Sequence, residues 1–158
     1  MAKKKKTPDN TIAQNRKARH DYIIGDTFEA GLSLQGWEVK AMRESKVTIA
    51  DAYVQLHQGE AWLHSCHISP LKTTSTHYIA EPTRNRKLLL HAAELTKLHD
   101  ALHKGGYTIV PLSLYWIRNR VKLKIGTAKG KKLHDKRAAD KAKEWAKDKG
   151  RIMKESLR

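Results

Sequence analysis

The run Lys129-Gly130-Lys131-Lys132-Leu133-His134-Asp135-Lys136-Arg137 places five cations in nine residues, with one His and one Asp among them. Cations alone satisfy phosphate, so His134 and Asp135 indicate a partner that is fitted as well as neutralised. Gly130 gives the backbone freedom to bend within the run. A second group lies near the other end, where Arg16, Lys17, Arg19 and His20 lead into Tyr22. Trp37 precedes Lys40 in a similar mixture. Lysine and arginine steer toward phosphate, while aromatic rings and His stack on unpaired bases. For Trp37 a place in the core is the equal alternative; for the polar residues it is a solvated face.

Other clusters fail as reaction centres. His64-Ser65-Cys66-His67 resembles a metal set, but zinc takes about four ligands in a tetrahedron and a strand sends neighbours to opposite faces. Cys66 is read as mid-strand, with no helix N-terminus or cationic turn to lower its pKa, so a buried inert thiol is expected. His134-Asp135 sits in a tail too mobile for general acid–base catalysis, and no carboxylate cluster for Mg²⁺ accompanies it. Gly126-Thr127-Ala128-Lys129-Gly130 lacks the spacing of a phosphate-binding P-loop. The expectation is therefore a binding protein and not an enzyme, with no metal and no cofactor.

Charge distribution says what is bound. The 158 residues carry a formal charge of +16. Residues 1–20 hold seven Lys/Arg against one acid, residues 126–158 twelve against five, and the 105 between thirteen against ten. A nearly neutral middle with basic ends suits a polyanion, with nucleic acid ahead of a membrane surface. A single Cys rules out an internal disulfide and favours a reducing compartment. The lysine-rich start, Lys3–Lys6, has no apolar run behind it, and no segment reaches the ~18 apolar residues of a membrane span. A cytoplasmic protein is expected.

Periodicity supplies the elements that must position these residues. Residues 1–11 read as a disordered basic N-terminus. Thr11 to His20 reads as a short helix. Phe28, Ala30, Leu32 and Leu34 alternate with polar or small residues as a half-buried strand, and Trp37, Val39 and Ala41 resume the alternation after Gly36, with Glu38 and Lys40 on the other face. Ala52–His57 and Ala61–His67 form a hairpin across Gln58-Gly59-Glu60. Between Glu81 and Gly106 the spacing of Leu88, Ala92, Leu95, His99 and Leu102 predicts one helix. Tyr107–Ile117 is a strand that Pro111 makes an edge or an irregularity. After the Arg118-Asn119 turn, Val121, Leu123 and Ile125 point inward and Lys122 and Lys124 share the outer face; beyond Gly126 no strand pattern remains. Five or more strands and a helix in about 100 residues predict a small antiparallel barrel, closed or partly closed, of the oligonucleotide-binding (OB) type. Residues 12–125 would be that domain, and 126–158 a basic tail.

The tail carries Ala138, Ala142, Trp145, Ile152 and Met153 along one helical stripe, with Asp140/Lys143, Glu144/Lys147 and Asp148/Arg151 as i,i+3 pairs. An isolated helix of this length is marginal in water, so the tail is expected to be disordered alone and helical on a partner.

Several segments resemble one family, the SsrA-binding (SmpB) proteins: Phe28-Glu29-Ala30-Gly31, Gly36-Trp37-Glu38-Val39-Lys40, Thr83-Arg84-Asn85-Arg86-Lys87-Leu88-Leu89-Leu90, Ser113-Leu114-Tyr115 and Gly130–Arg137. The resemblance runs in order from about Ile12 to Met153. It implies an OB-type barrel with small helices, binding transfer-messenger RNA and bringing it to stalled bacterial ribosomes. On that resemblance the barrel grips the transfer-RNA-like domain through the Lys17–His20 region, Glu29 and Leu89–His91. The family commonly has Asn where this chain has His91, a ring that still hydrogen-bonds or stacks. Trp37, Lys40, Lys122 and Lys124 complete the expected RNA-binding set.

The tail is implied to enter the decoding centre and empty message channel, where Lys129, Gly130, Lys131, Lys132, Asp135, Lys136 and Arg137 meet ribosomal RNA. His134 would stack on a base there, and Trp145, Ile152 and Met153 would seat the helix downstream. Elongation factor Tu and alanyl-tRNA synthetase are implied as indirect partners, and the chain as a monomer. The rival expectation is a generic basic ribosomal or single-strand RNA-binding barrel.

Overall fold

The structure is a computed structural model that describes residues 10–72, 79–131 and 133–156, without the side chains of 133–136, 139 and 152–156. Lys3–Lys6 and Lys132 therefore lie outside the described residues, as do the side chains of His134, Asp135, Lys136, Ile152 and Met153. The elements in chain order are β1 (Thr11–Gln14), α1 (Arg16–Asp21), β2 (Tyr22–Leu32), α2 (Gly36–Arg43), β3 (Val47–Thr48), β4 (Tyr53–His57) and β5 (Glu60–His64). There follow β6 (His67–Ile68), β7 (Arg86–Leu89), α3 (Ala92–His103), β8 (Tyr107–Ile117), β9 (Arg120–Gly130) and α4 (Leu133–Ser156).

Seven strands form one antiparallel sheet in the order β1-β8-β4-β5-β7-β2-β9, and β8 also pairs with β9. That pairing closes β8-β4-β5-β7-β2-β9 into a ring, leaving β1 attached outside to β8. The result is the small OB-like barrel expected. Closure demands long bent strands, and β2, β8 and β9 each run eleven residues. Bends come at register shifts between Ile24 and Thr27 in β2 and between Pro111 and Ser113 in β8. Pro111 thus lies in a central strand, paired with Ile125 and directly before the register shift.

Turn chemistry follows the sequence closely. The β4–β5 and β8–β9 hairpins have two-residue turns, Gln58-Gly59 and Arg118-Asn119, with φ of 52° and 74°, and 46° and 65°. Positive φ at both central residues is the type I′ turn, whose twist matches the strands it joins. Val121, Leu123 and Ile125 turn inward as their alternation requires, against Leu63, Leu88, Ile109 and Leu114.

Four expectations are corrected. Residues Thr11–Gln14 are a strand on β8, and the helix begins only at Arg16, where Asn15 caps it by accepting from the Ala18 N–H at 3.0 Å. Asn15 also donates to the Pro111 carbonyl at 2.9 Å, so the side chain that starts α1 fastens it to the β8 bulge. Trp37 to Ala41 is helical: Trp37, Glu38, Ala41 and Met42 are buried at i, i+1, i+4 and i+5. Arg86–Leu89 is a strand between β5 and β2, and helix starts at Ala92, with Leu98 buried and His99 exposed. The vacant slot in the ring outweighs the helical spacing of Leu88. Lastly, β9 continues to Gly130 because its partners β2 and β8 continue beside it.

Glu38 explains two of these corrections. Its carboxylate is fully buried and accepts from Arg86 Nε and, at 2.6 Å, from Arg84 Nη2. Arg86, equally buried, also donates from Nη1 to the Cys66 carbonyl (2.7 Å) and from Nη2 to the Pro82 carbonyl (3.1 Å). A buried charge pair persists only when its spare hydrogen-bonding capacity is met. Burial pushes the neighbouring Cys66 thiol up to about 11; Arg86 opposes that shift and Glu38 adds to it. Cys66 lies in the connection between β5 and β6 beside Arg86, not mid-strand as expected, and it is burial that disfavours its thiolate.

Replacing Glu38 by Gln is expected to cost about 3–5 kcal/mol in urea unfolding, because Arg86 keeps a buried charge without a partner. Replacing both, as Glu38→Leu with Arg86→Met, should recover part of that loss. Alkylation of Cys66 at neutral pH should proceed only in urea concentrations that unfold the chain.

Candidate nucleic-acid interface

Closure of the ring brings four of the expected residues together. Glu29 on β2, Leu89 on β7, Lys122 on β9 and His91 at the start of α3 line one open groove of about 580 Å³, with Lys87, Glu94 and Gly31. Strand register puts them there: Gly31 pairs with both Leu89 and Lys122, and Glu29 pairs with Lys124. Lys122 and Lys124 flank Glu29 on the outer surface, so two cations and one carboxylate share it. A Cβ on Gly31 would sit 3.2 Å from the Leu89 Cβ; glycine there lets Leu89 lie across β2, 54% exposed. His91 is extended, with φ −69° and ψ 151°, and its N–H donates to Glu94 Oε1 at 3.1 Å. With Glu94 it forms the capping box that starts α3.

Glu29 accepts a 2.6 Å hydrogen bond from Tyr115 OH on β8, two strands away across β9. The bond fixes one carboxylate oxygen and leaves acceptor capacity for a sugar or base donor. Burial raises the Tyr115 phenol above its ordinary range, and the hydrogen bond and charge of Glu29 raise it further. Tyr115 ends the Ser113-Leu114-Tyr115 motif, and its outward position opposite Lys122 is the signal that marks it. A second recess continues the groove past Gly31, Leu89 and Lys122 to Trp116 and Arg120.

The other expected residues are elsewhere. Trp37 is in the core, 8% exposed, its indole N–H donating to Gln35 Oε1 at 2.7 Å, and a ring so covered has no face for a base. Lys40 is exposed on α2. Lys17 and Arg19 project from α1 into separate recesses, Lys17 beside Tyr22, Asp51 and Tyr53, Arg19 beside Gln14 and Ser113. Lys17 pairs with Asp51 at 3.3 Å, an exposed contact of little energetic weight.

His20 stands at the joint between barrel and tail. Its Nδ1 lies 3.0 Å from Asp21 Oδ1 and its Nε2 3.0 Å from Asp140 Oδ1 on α4. Lys131 adds two bonds to the end of α1, from its N–H to Asp21 O (2.9 Å) and from Nζ to Arg19 O (3.3 Å). Gly130 is no bend: it ends β9 paired with Tyr22, without a left-handed φ. Lys129 pairs across from Ile23, its ammonium 6.0 Å from the Tyr107 ring. Beyond the joint the tail is one 24-residue helix. Arg137 is exposed on it, Trp145 is 70% exposed, and Asp148 meets Arg151 at 2.7 Å as the spacing required. Among the described residues no group of three or more His, Cys, Asp or Glu is arranged for a metal. No helix there is long and apolar enough to cross a membrane.

An OB-like barrel with a groove lined by Lys87, Lys122, three partnered carboxylates and an exposed Leu is the class these features define. The chain belongs to the SmpB protein family, which matches residues 12–155. Two curated relatives, both SsrA-binding proteins, are 54% identical. That of Alkalilimnicola ehrlichii aligns over 157 residues (99% of this chain, 98% of its own), and that of Chromohalobacter salexigens over 155 (98% and 99%). A solved chain from "tmRNA-SmpB: a journey to the center of the bacterial ribosome" superposes with a TM-score of 0.64 at 41% identity, covering 77% of this chain and 85% of that one.

The raised Tyr115 phenol sets a pH dependence. Its stabilising share is whole below the ordinary tyrosine range of ~10 and is lost as pH climbs through the higher folded value. In a spectrophotometric titration Tyr115 should ionise after the exposed tyrosines, and Glu29→Gln should bring it back down. No change on that substitution would mean that burial alone sets its ionisation.

Proposed function

We propose that this protein binds the transfer-RNA-like domain of transfer-messenger RNA (SsrA) in its barrel groove and delivers it to stalled ribosomes in the cytoplasm. The observation that carries the reading is the single groove uniting Glu29, Leu89, His91 and Lys122 in a chain of this family. Lysines there neutralise phosphate, Glu29 accepts from sugar or base donors, and His91 hydrogen-bonds or stacks. Lys17, Arg19 and His20 extend the footprint from α1. The protein acts as a monomer without cofactor or catalysis. Elongation factor Tu and alanyl-tRNA synthetase join through the RNA.

The tail is the second half of the proposal. Lys129, Lys131, Lys132, Lys136 and Arg137 would neutralise ribosomal RNA, with Gly130 and Asp135 beside them. His134 would stack on a decoding-centre base, and Trp145, Ile152 and Met153 would seat the helix in the empty message channel. An intact message excludes the tail, so emptiness is what is sensed. Exposure of Trp145 on a helix tethered at His20–Asp140 supports a segment that orders fully on a partner.

Because β9 runs to Gly130, the informative truncation ends there. Removing residues 131–158 should leave affinity for the transfer-RNA-like domain within about threefold while abolishing peptide tagging on stalled ribosomes; equal loss of both would overturn the division of labour. His134→Ala should hold RNA affinity and slow single-turnover peptidyl transfer. In competition, ordinary RNA of similar size should displace the transfer-RNA-like domain poorly, and equal displacement would favour a generic RNA binder. The logarithm of affinity should fall linearly with log salt, affinity dropping about 10³-fold or more between 50 and 200 mM if six or more phosphates are met.

A further inference from the structure

The two cation groups expected to hold RNA lie on different parts of the barrel, and one surface joins them. At the groove end is Lys87, bonded to Glu60 at 2.9 Å. Lys87 registers opposite Trp62, Trp62 opposite Gln55, and Tyr53 opposite His64. At the far end Tyr53 lines the recess that holds Lys17, itself bonded to Asp51. Strand alternation is strict here: Val54, Ala61, Leu63 and Leu88 are buried, so Tyr53, Gln55, Trp62, His64 and Lys87 all face outward.

These residues have a particular chemistry. Tyr53 and His64 stack at 5.2 Å between centroids and 7° between planes, with Tyr53 45% exposed. Trp62 and His64 are two residues apart on one strand, about 6.6 Å. That backbone spacing is about twice the ~3.4 Å rise between stacked bases. The carboxylates at the two ends, Glu60 and Asp51, each lie beside a lysine in an exposed pair, and the positions between carry none. Neutral rings between cations are the pattern that holds single-stranded nucleic acid without regard to sequence.

We propose that the outer face of β4 and β5 is a stacking track for an unpaired RNA segment, with one base between Trp62 and His64 and another extending the Tyr53–His64 stack. It would carry a strand from the groove at Lys87 toward Lys17 on α1. The track rests on the reading that the groove holds RNA, and on the net charge of +16 that draws a polyanion to a face with little charge of its own. It adds a partner of another kind, flexible single strand beside the folded RNA.

The test uses the full chain and two labelled probes in fluorescence anisotropy: the folded transfer-RNA-like domain and an unstructured adenine-rich octanucleotide. Trp62→Leu and the pair Tyr53→Leu with His64→Gln keep an outward side chain on each strand, and thermal melting confirms that they fold. Each should weaken octanucleotide binding about tenfold or more. The slope of log affinity against log salt should stay unchanged, since stacking releases no counterions, whereas Lys87→Gln should make it shallower. Wild-type affinity for the octanucleotide in both folded variants overturns the track. So does an affinity loss matched by a change in salt slope. Failure of the groove reading looks different, as Glu29→Gln and His91→Ala would then leave binding of the folded domain unaltered.

Discussion

Everything on the functional side of this barrel depends on one buried ion pair, Glu38 with Arg86. It joins α2 to β7, and β7 is the strand that fills the gap between β5 and β2. Without β7 the ring opens and Leu89 loses its place across Gly31. The pair also collects the carbonyls of Cys66 and Pro82, so the segments on either side of β6 and before β7 share the same anchor. Such a pair adds little net stability compared with apolar residues of similar size. Its value lies in specificity: a guanidinium with all three nitrogens engaged favours one arrangement of its neighbours.

Barrel closure then does the arranging. Glu29, Leu89, His91 and Lys122 come from three strands and a helix start, spread over more than ninety residues, and meet because the register of β2 with β7 and β9 leaves them adjacent. Tyr115 reaches Glu29 from a fourth strand and aims its carboxylate. At the opposite end of β2 the same ladder holds Gly130 beside Tyr22, which puts the start of the tail against α1. A single long strand thus connects the groove with the joint from which the tail departs.

Much of this was legible in residues alone. The alternation of Val121, Leu123 and Ile125, the Gln58-Gly59 and Arg118-Asn119 turns, the irregularity at Pro111 and the amphipathic stripe through Trp145 are local signals, and each element appears. Misreadings occurred where a local period competed with a distant partner. Trp37, Val39 and Ala41 alternate as a strand would, yet the need of Glu38 for two arginines selects the helix that buries it. Leu88 lies at helical spacing from Ala92 and Leu95, yet the open slot between β5 and β2 draws it into a strand. Propensity and period differ by fractions of a kcal/mol per residue, less than the burial of one large side chain.

By itself the sequence determined the charge at the two ends, the barrel class, the inward and outward faces of its clearest strands, and the motifs by which the family is known. These depend on residue type and short-range spacing, which the chain carries wherever it goes. Tertiary structure alone decided that Trp37 belongs to the core, that Tyr115 orients Glu29, that Lys17 and Glu29 lie apart, and that rings on β4 and β5 span the distance between them. The reason is geometric: such relations are set by strand register and ring closure, and no residue records which distant neighbour it will meet.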